Sequence, residues 1–159
     1  MQAIIYAAGY GSRLSRPLNL KPKSLLKIGN GTIIYFIIKK LINCKITKIN
    51  IVVGYKNILL QKYLVKNFKK QCTFNFIKNK FYKSRGNIYS AYLFKKKFTD
   101  DVIILNSDLV FQKKTLKRFL NIKHQNIFLT NKKKDITKDD IIFSHKKNKI
   151  VNKVYIKKK

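Results

Sequence analysis

The sequence predicts an α/β protein with a Rossmann-like, doubly wound and mostly parallel sheet flanked by helices. Short apolar strands alternate with amphipathic helices from residue 2 to residue 121, the pattern typical of a parallel sheet. A glycine turn at Gly9 follows the first strand directly, and Asp108 follows a later strand directly. Loops at the carboxyl ends of parallel strands meet at one edge, where ligands bind. We therefore expect the glycine turn and Asp108 at that edge.

The first strand is QAIIYA, residues 2–7, a short apolar run that ends at a glycine turn. Residues 8–24 contain two glycines and two prolines, which indicates a loop. GNGT, residues 29–32, predicts a turn, and Thr32 is suited to cap a helix. Isoleucine and leucine then recur at helical spacing, so residues 33–43 are predicted to form an amphipathic helix.

The same alternation continues along the chain. The other predicted elements are a strand over 47–54, a helix over about 57–67, a strand over 72–78, a helix over 87–98, a strand over 101–108, a helix that begins with QKKTLKRFL, and late strands in NIFLT, IIFSH and KIVNKVYI. A chain of 159 residues suits one hydrophobic core. We therefore expect a single domain over residues 1–159.

The net charge of +31 suggests a nucleic-acid partner, but its distribution weakens that interpretation. Of the 37 basic residues, 33 are lysine and four are arginine, and no glutamate is present. The lysines are scattered along the whole chain, and lysine, isoleucine and asparagine are all encoded by A/T-rich codons. The charge therefore indicates a genomic bias more than a binding surface. A weak, salt-sensitive attraction to polyanions is still expected.

Localisation is predicted from three features of the sequence. No apolar run reaches the roughly 18 residues that a membrane span needs. The start, MQAIIYAAGYGSR, lacks a positively charged region and does not resemble a signal peptide. Cys44 and Cys72 lie far apart and match no metal or redox spacing. We therefore expect a cytoplasmic protein with two reduced thiols and no membrane contact.

The loop within AIIYAAGYGSRLSRPLNLKPKSLL, residues 3–26, has the residue types that bind phosphate. Glycine lets the backbone approach a ligand closely, and loop N–H groups can point at phosphate oxygens. Arg13 offers a planar fork for those oxygens, and Lys23 offers a point charge. The loop lacks the third glycine of the dinucleotide-binding fingerprint, and no Gly-Lys-Ser/Thr follows as in a P-loop.

Asp108 is the one carboxylate at the end of a hydrophobic strand, in LNSDLVF. A lone buried charge at such a position is costly unless a cation pairs with it. The alternatives are a turn aspartate or an N-cap for the following helix. The phosphate-type loop favours a metal ligand, because Mg²⁺ needs only one or two carboxylates when phosphates complete its coordination shell.

The pattern A-A-G-x-G-S-R-L followed by P-K-S-L-L resembles the N-terminal signature of the nucleotidyltransferases that join an NTP to a sugar phosphate or phosphocholine. The resemblance continues in INIVVGYK, in NKFYKSRGNIYSAYLF and in VIILNSDLVF, and it covers about 120 residues in the family's order. The third of these blocks is more similar to the phosphocholine cytidylyltransferase branch. The sugar branch usually has Gly-Thr-Ala where this chain has Asn87-Ile88-Tyr89.

The resemblance implies a Mg²⁺-dependent enzyme that binds an NTP, with CTP favoured, and a small phosphomonoester. Pyrophosphate would leave as the nucleotidyl group is transferred. The implied roles are Ala8, Gly9, Gly11 and Ser12 in shaping the nucleotide loop, Arg13 and Lys23 in holding the triphosphate and offsetting charge on pyrophosphate, Asp108 in binding Mg²⁺, and Asn87 and Ser90 near the nucleotide or acceptor.

The chain departs from the family in length, because its enzymes usually run well beyond 159 residues. The additional part completes the acceptor pocket and often supplies a second metal-binding aspartate. The sequence leaves open a fragment, a decayed gene or a site with one protein ligand. The alternative function is therefore a catalytically inactive domain that binds anions or RNA through its basic surface.

Overall fold

The computed structural model describes residues 1–11, 20–95, 101–122, 127, 141–145 and 151–156. In chain order the elements are β1 (Gln2–Ala7), a 3₁₀ turn (Lys23–Leu25), β2 (Lys27–Ile28), β3 (Gly31–Thr32), α1 (Ile33–Asn43), β4 (Lys48–Val53), α2 (Asn57–Phe68), β5 (Thr73–Lys78), α3 (Asn87–Leu93), β6 (Val102–Asn106), α4 (Lys113–Leu120), β7 (Ile141–His145) and β8 (Val151–Ile156). Contacts divide the chain into two compact units, residues 1–121 and 122–159.

The first unit contains a four-stranded parallel sheet in the order β5-β4-β1-β6. Ala3 pairs with Ile49 on one side of β1, and Gln2 pairs with Val102 on the other. The chain therefore adds β4 and β5 in one direction from β1 and then returns to place β6 on the opposite side. This reversal between β1 and β6 is the topological switch point of a doubly wound sheet, and it confirms the predicted fold class.

The central strands β1 and β4 are apolar because both faces of the sheet are covered there. The larger core cluster includes Ile5, Ile51 and the buried face of α1. The smaller cluster includes Ile4, Val52 and Phe94, which belong to the opposite face. Helices on both faces thus explain why β1 and β4 do not alternate between polar and apolar residues.

Helix α1 forms where the periodicity predicted it. Five apolar side chains at helical spacing are buried, Ile33, Ile34, Ile37, Ile38 and Leu41. Burial of each stabilises the fold by about 1.5–3 kcal/mol. Thr32 caps the helix, because its Oγ1 accepts a hydrogen bond from the backbone N–H of Tyr35 at 3.2 Å.

A polar ladder crosses the sheet inside this apolar body and consists of Gln2, Asn50 and Asn75. Asn50 Nδ2 donates to Gln2 Oε1 at 2.8 Å and to the carbonyl of Ala3 at 3.2 Å. Asn75 Nδ2 donates to Asn50 Oδ1 at 2.9 Å. Gln2 and Asn50 are almost fully buried. Their mutual hydrogen bonds offset the cost of removing these amides from water.

The remaining predicted elements agree in type with the described residues, with ends that differ by a few positions. The short antiparallel pair of β2 and β3 was not predicted, since two-residue strands have no periodicity. β7 and β8 form an antiparallel pair in the second unit. Of the predicted NIFLT strand, residue 127 is not in a strand and the others lie outside the described residues.

Two further expectations concern the cysteines and the membrane. Cys44 and Cys72 are both free thiols, and burial raises the pKa of the Cys72 thiol to about 11. Among the helices described here, none has the length and apolar character required to cross a membrane.

Candidate functional site

A cleft of about 160 Å³ opens where the loops after β1 and β6 meet, and we call it the switch-point cleft. Its lining residues are Tyr6, Ala7, Gly9, Gly11, Lys23, Ser24, Asn87, Asn106, Ser107 and Asp108. The loops converge because β1 and β6 are parallel neighbours, and the backbone N–H of Ser107 donates to the carbonyl of Tyr6 at 3.1 Å. The glycine loop and Asp108 thus meet at the predicted edge.

The glycine loop has one position that requires glycine for its conformation. Gly11 has φ of 71°, in the left-handed region that disfavours side chains. A Cβ at Gly9 would meet no atom of the described chain within 4 Å. The absence of a side chain at Gly9 therefore keeps the backbone open towards the cleft rather than relieving a clash.

The backbone of Ala8 is held in place from the other side. Its carbonyl accepts a hydrogen bond from the N–H of Tyr55 at 3.1 Å. A Cβ on Gly54 would lie only 2.6 Å from that carbonyl oxygen and 2.7 Å from the Cβ of Tyr82. Gly54 therefore permits the close approach that supports the loop. Ala8 itself is buried and is not a lining residue.

Lys23 and Asp108 form an ion pair across the cleft, with Nζ and Oδ2 2.7 Å apart. The 3₁₀ turn that begins at Lys23 presents its side chain outwards and buries Leu25. The two charged side chains are 45% and 37% exposed, respectively. Solvent screening makes such a pair worth at most about 1 kcal/mol. Either partner can therefore exchange the other for a ligand at low cost.

The position of Asp108 changes the argument made from the sequence. Its carboxylate is not buried, because the strand ends at Asn106 and Asp108 lies in an open turn. Gln112, not Asp108, occupies the N-cap position of α4, so the N-cap interpretation is wrong. Lys23 is the cation that pairs with Asp108 in this structure, and the assignment of Asp108 as a metal ligand stays a prediction.

The oxygen ligands that Asp108 offers fit a Mg²⁺ ion whose other ligands come mostly from a bound substrate. The described residues contain no group of three or more histidine, cysteine, aspartate or glutamate side chains that could hold a metal. Asp108 offers carboxylate oxygens, one of which already accepts a cationic donor. A single carboxylate completed by phosphate oxygens and water is an ordinary arrangement for Mg²⁺.

Asn87 and Ser90 lie on α3 but in different surroundings. Asn87 Nδ2 donates to Asn106 Oδ1 at 3.1 Å, and both residues line the cleft. Ser90 is buried, and its Oγ accepts from Asn79 Nδ2 at 3.4 Å. Asn87 therefore faces the cleft, whereas Ser90 is not among the lining residues.

Ser12 and Arg13 lie outside the described residues, so their predicted roles remain predictions.

Several lining residues were not identified from the sequence. Asn106 and Ser107 precede Asp108 directly, and polar residues at the end of an apolar strand were the available signal. Ser24 lies in the P-K-S-L-L motif, but no role was predicted for it from the sequence. Tyr6 belongs to β1, and burial raises the pKa of its phenol.

An exposed group of aromatic and basic side chains surrounds the beginning of α3, and we call it the aromatic–basic patch. The guanidinium carbon of Arg85 lies 4.7 Å from the ring centre of Phe81 and 4.8 Å from that of Tyr89. Tyr89 stacks on Tyr92 at 6.0 Å, and Lys95 Nζ lies 4.1 Å from the Tyr92 ring centre. These distances are within the range of cation–π contacts.

A family model described as nucleotidyl transferase matches residues 2–154. Over 139 residues, the chain is 31% identical to a CTP:phosphoglutamine cytidylyltransferase of Campylobacter jejuni, which covers 83% of the chain and 53% of that protein. Over 112 residues, it is 32% identical to a choline-phosphate cytidylyltransferase of Streptococcus pneumoniae, which covers 70% of the chain and 47% of that protein.

A solved structure of the CTP:phosphocholine cytidylyltransferase from Streptococcus pneumoniae has a TM-score of 0.71 and 24% identity, over 98% of this chain and 64% of that chain. This similarity supports the fold. The chain spans about half the length of the two curated relatives named above, and about a quarter of a longer one.

Proposed function

The chain belongs to the nucleotidyl transferase family, and from that premise we propose that it transfers a nucleotidyl group from an NTP to a small phosphomonoester. CTP is the favoured donor, phosphocholine or a sugar 1-phosphate is the acceptor, and pyrophosphate is the leaving group. The observation that carries this proposal is the switch-point cleft. It brings a glycine loop, a lysine and a carboxylate together between β1 and β6.

The reaction forms one bond and breaks another at the α-phosphorus. A phosphate oxygen of the acceptor attacks that phosphorus as the bond to the β-phosphate oxygen breaks, and the electron pair leaves with pyrophosphate. No side-chain nucleophile takes part. Catalysis therefore depends on positioning the two substrates and stabilising the developing charge.

Lys23 is the described side chain best suited to stabilise that charge. Its ammonium group is a point charge with three donors, and its present partner is an exposed carboxylate. Triphosphate oxygens bring more negative charge than one carboxylate, so they compete effectively for Lys23. Arg13, predicted from the sequence, would add a planar donor to the same phosphates.

Asp108 would hold Mg²⁺ with one or both carboxylate oxygens once Lys23 turns to the phosphates. When bound, the ion would neutralise phosphate charge and favour attack at the α-phosphorus. Asn106 would meanwhile hold the amide of Asn87 in the cleft, where it can orient a nucleotide or acceptor group.

CTP is favoured because two cytidylyltransferases are among the relatives, and the Asn87-Ile88-Tyr89 block resembles the phosphocholine branch. A screen of the four NTPs against phosphocholine, other phosphomonoesters and sugar 1-phosphates, read as pyrophosphate release with Mg²⁺ present, tests the proposal. We expect one base and one acceptor class to give saturable release. No release from any pair would contradict transferase activity.

A second candidate function is binding of single-stranded RNA. The aromatic–basic patch supports it, because bases stack on exposed aromatic rings beside cations, and Phe81 and Tyr92 are 46% and 55% exposed. The net charge of +31 would add salt-sensitive attraction.

Fluorescence anisotropy with a labelled single-stranded RNA separates the two functions. A polyanion binder prefers RNA to any NTP, and Arg85→Ala weakens its binding more than Arg118→Ala does, since Arg118 is an exposed arginine on α4. An enzyme prefers one Mg²⁺–NTP and shows equal, weak RNA binding in both variants.

A further inference from the structure

Ser24 lines the switch-point cleft and has a side-chain hydroxyl without a hydrogen-bond partner among the residues that the structure describes. The residue is 2% exposed. Within the described part of the chain, its Oγ is the one buried side-chain oxygen or nitrogen without a hydrogen-bond partner. Two backbone amides that follow it are bonded, since Leu25 N–H donates to the carbonyl of Pro22 at 2.8 Å and Leu26 N–H to that of Lys23 at 3.1 Å.

A buried hydroxyl without a partner is unusual, because folded proteins satisfy nearly all such groups. Leaving one unmet costs free energy that an alanine at the same place would not cost. Elsewhere in the described part of the chain the buried polar side chains are bonded, as Asn50 and Ser90 demonstrate. Ser24 differs from them in its position, because it lines the cleft.

We propose that the Ser24 hydroxyl donates a hydrogen bond to a phosphate oxygen of the polyphosphate bound in the switch-point cleft. The inference rests on the proposed function and adds a binding residue to it. The neighbouring groups decide the ligand chemistry. Lys23 next to it carries only donors, and Gly9 and Gly11 line the same cleft without side chains of their own. A hydroxyl among these groups is suited to an anionic oxygen.

Ser24 and Lys23 then act on the ligand differently. Lys23 is exposed and bonded to Asp108, so its head must move to reach phosphate. Ser24 is held in a buried turn, so a rotation of its short side chain is enough to present the hydroxyl to the ligand. A donor that moves so little loses little conformational entropy on binding. We therefore expect Ser24 to contribute affinity for the phosphate chain in any nucleotide, without selecting the base.

Isothermal titration of inorganic pyrophosphate into the wild type, Ser24→Ala, Ser24→Cys and Ser84→Ala tests this inference. Ser24→Cys retains the side-chain volume with a much weaker donor. Ser84 is an exposed serine outside the cleft lining and serves as the control. We expect both Ser24 variants to raise the Kd of pyrophosphate about 10-fold, the scale of one hydrogen bond to a charged group. Ser84→Ala should match the wild type.

Thermal unfolding without ligand gives a second readout. Because the hydroxyl has no partner to lose, Ser24→Ala should melt at or above the wild-type temperature. A clear drop in melting temperature in both Ser24 variants would show a protein partner and overturn the proposal. Equal pyrophosphate affinity in the wild type and Ser24→Ala, or no pyrophosphate binding by the wild type, would overturn it as well.

These outcomes separate this inference from the proposed function. If the wild type binds pyrophosphate through Ser24 but releases no pyrophosphate from any NTP, the hydrogen-bond inference stands and the proposed enzymatic function is wrong. If the wild type turns over an NTP while Ser24→Ala binds pyrophosphate as tightly as the wild type, the enzymatic function stands and the hydrogen-bond inference is wrong.

Discussion

The polar ladder and the switch-point cleft both contain polar side chains of the same parallel sheet and its loops. They differ in whether those side chains bond to one another in the protein interior or are left accessible to a ligand. In the ladder, Gln2, Asn50 and Asn75 bond to one another and Gln2 and Asn50 are buried. In the cleft, Lys23 and Asp108 are about two-fifths exposed, and Ser24 Oγ has no partner in the described chain.

The difference indicates what each group is for. The ladder is closed, because its amides satisfy each other and offer nothing to a ligand. The cleft is open, because its donors are either unmet or bonded through an exposed pair that costs little to break. Changes in the ladder should therefore lower stability and spare turnover, and changes in the cleft should do the opposite.

The largest effect is expected from Asp108→Asn. Asparagine retains the shape but removes the charge, so we expect Mg²⁺-dependent turnover to fall about 10³-fold, or roughly 4 kcal/mol. The melting temperature should barely change, because the lost pair with Lys23 is exposed. Stabilisation by Mg²⁺–CTP, measured as a shift in melting temperature, should largely disappear. A mutant stabilised as much as the wild type would exclude Asp108 as the metal ligand.

Lys23→Ala should have the next largest effect. Losing the mobile cation should lower turnover about 10²-fold, roughly 2.7 kcal/mol, the scale of one preorganised donor. Lys27→Ala is the matched control, since Lys27 is an exposed lysine four residues away and outside the cleft lining. Pyrophosphate release should be measured for both. Equal rates of pyrophosphate release in the two variants would exclude a role for Lys23 in the reaction.

Asn50→Ala, a change in the ladder, should lower stability and leave turnover nearly unchanged. It leaves Gln2 Oε1 and Asn75 Nδ2 without a bond that each makes in the ladder, so we expect a loss of about 2 kcal/mol in the free energy of unfolding. Urea denaturation measures that loss, and turnover per folded molecule should stay within about twofold. Wild-type stability, or a loss of turnover without loss of stability, would contradict the closed character of the ladder.

The smallest effect is expected from Asn106→Ala. The variant removes the acceptor that holds Asn87 Nδ2 at 3.1 Å, and we expect kcat/KM to fall about fivefold, roughly 1 kcal/mol. Asn87→Ala made alone and together with Asn106→Ala completes a double-mutant cycle. If Asn106 acts by positioning Asn87, the double variant should be no worse than Asn87→Ala. Fully additive losses would contradict that role.

Much of the fold could be predicted because it depends on local patterns. The spacing of isoleucine and leucine in α1 and the apolar run of β1 are visible in the sequence. The glycine loop and Asp108 could also be assigned to one sheet edge, since parallel strands place their following loops together.

The rest depends on pairings between distant residues. Asn50 looks like an interruption in a strand until the register places it opposite Asn75 and near Gln2. The exposure of Asp108 depends on where β6 ends, and the unmet hydroxyl of Ser24 depends on which side of a short turn is buried. None of these three features can be predicted from a short stretch of the sequence alone.

The position of β1 between β4 and β6 has a consequence for the entropy cost of assembling the cleft. The pairing of β1 with β4 closes a loop of about 45 residues, whereas its pairing with β6 closes one of about 100, as the contacts Ala3–Ile49 and Gln2–Val102 require. A longer loop costs more entropy to close. The cleft therefore depends on the pairing with the largest sequence separation in this sheet, that of β1 with β6.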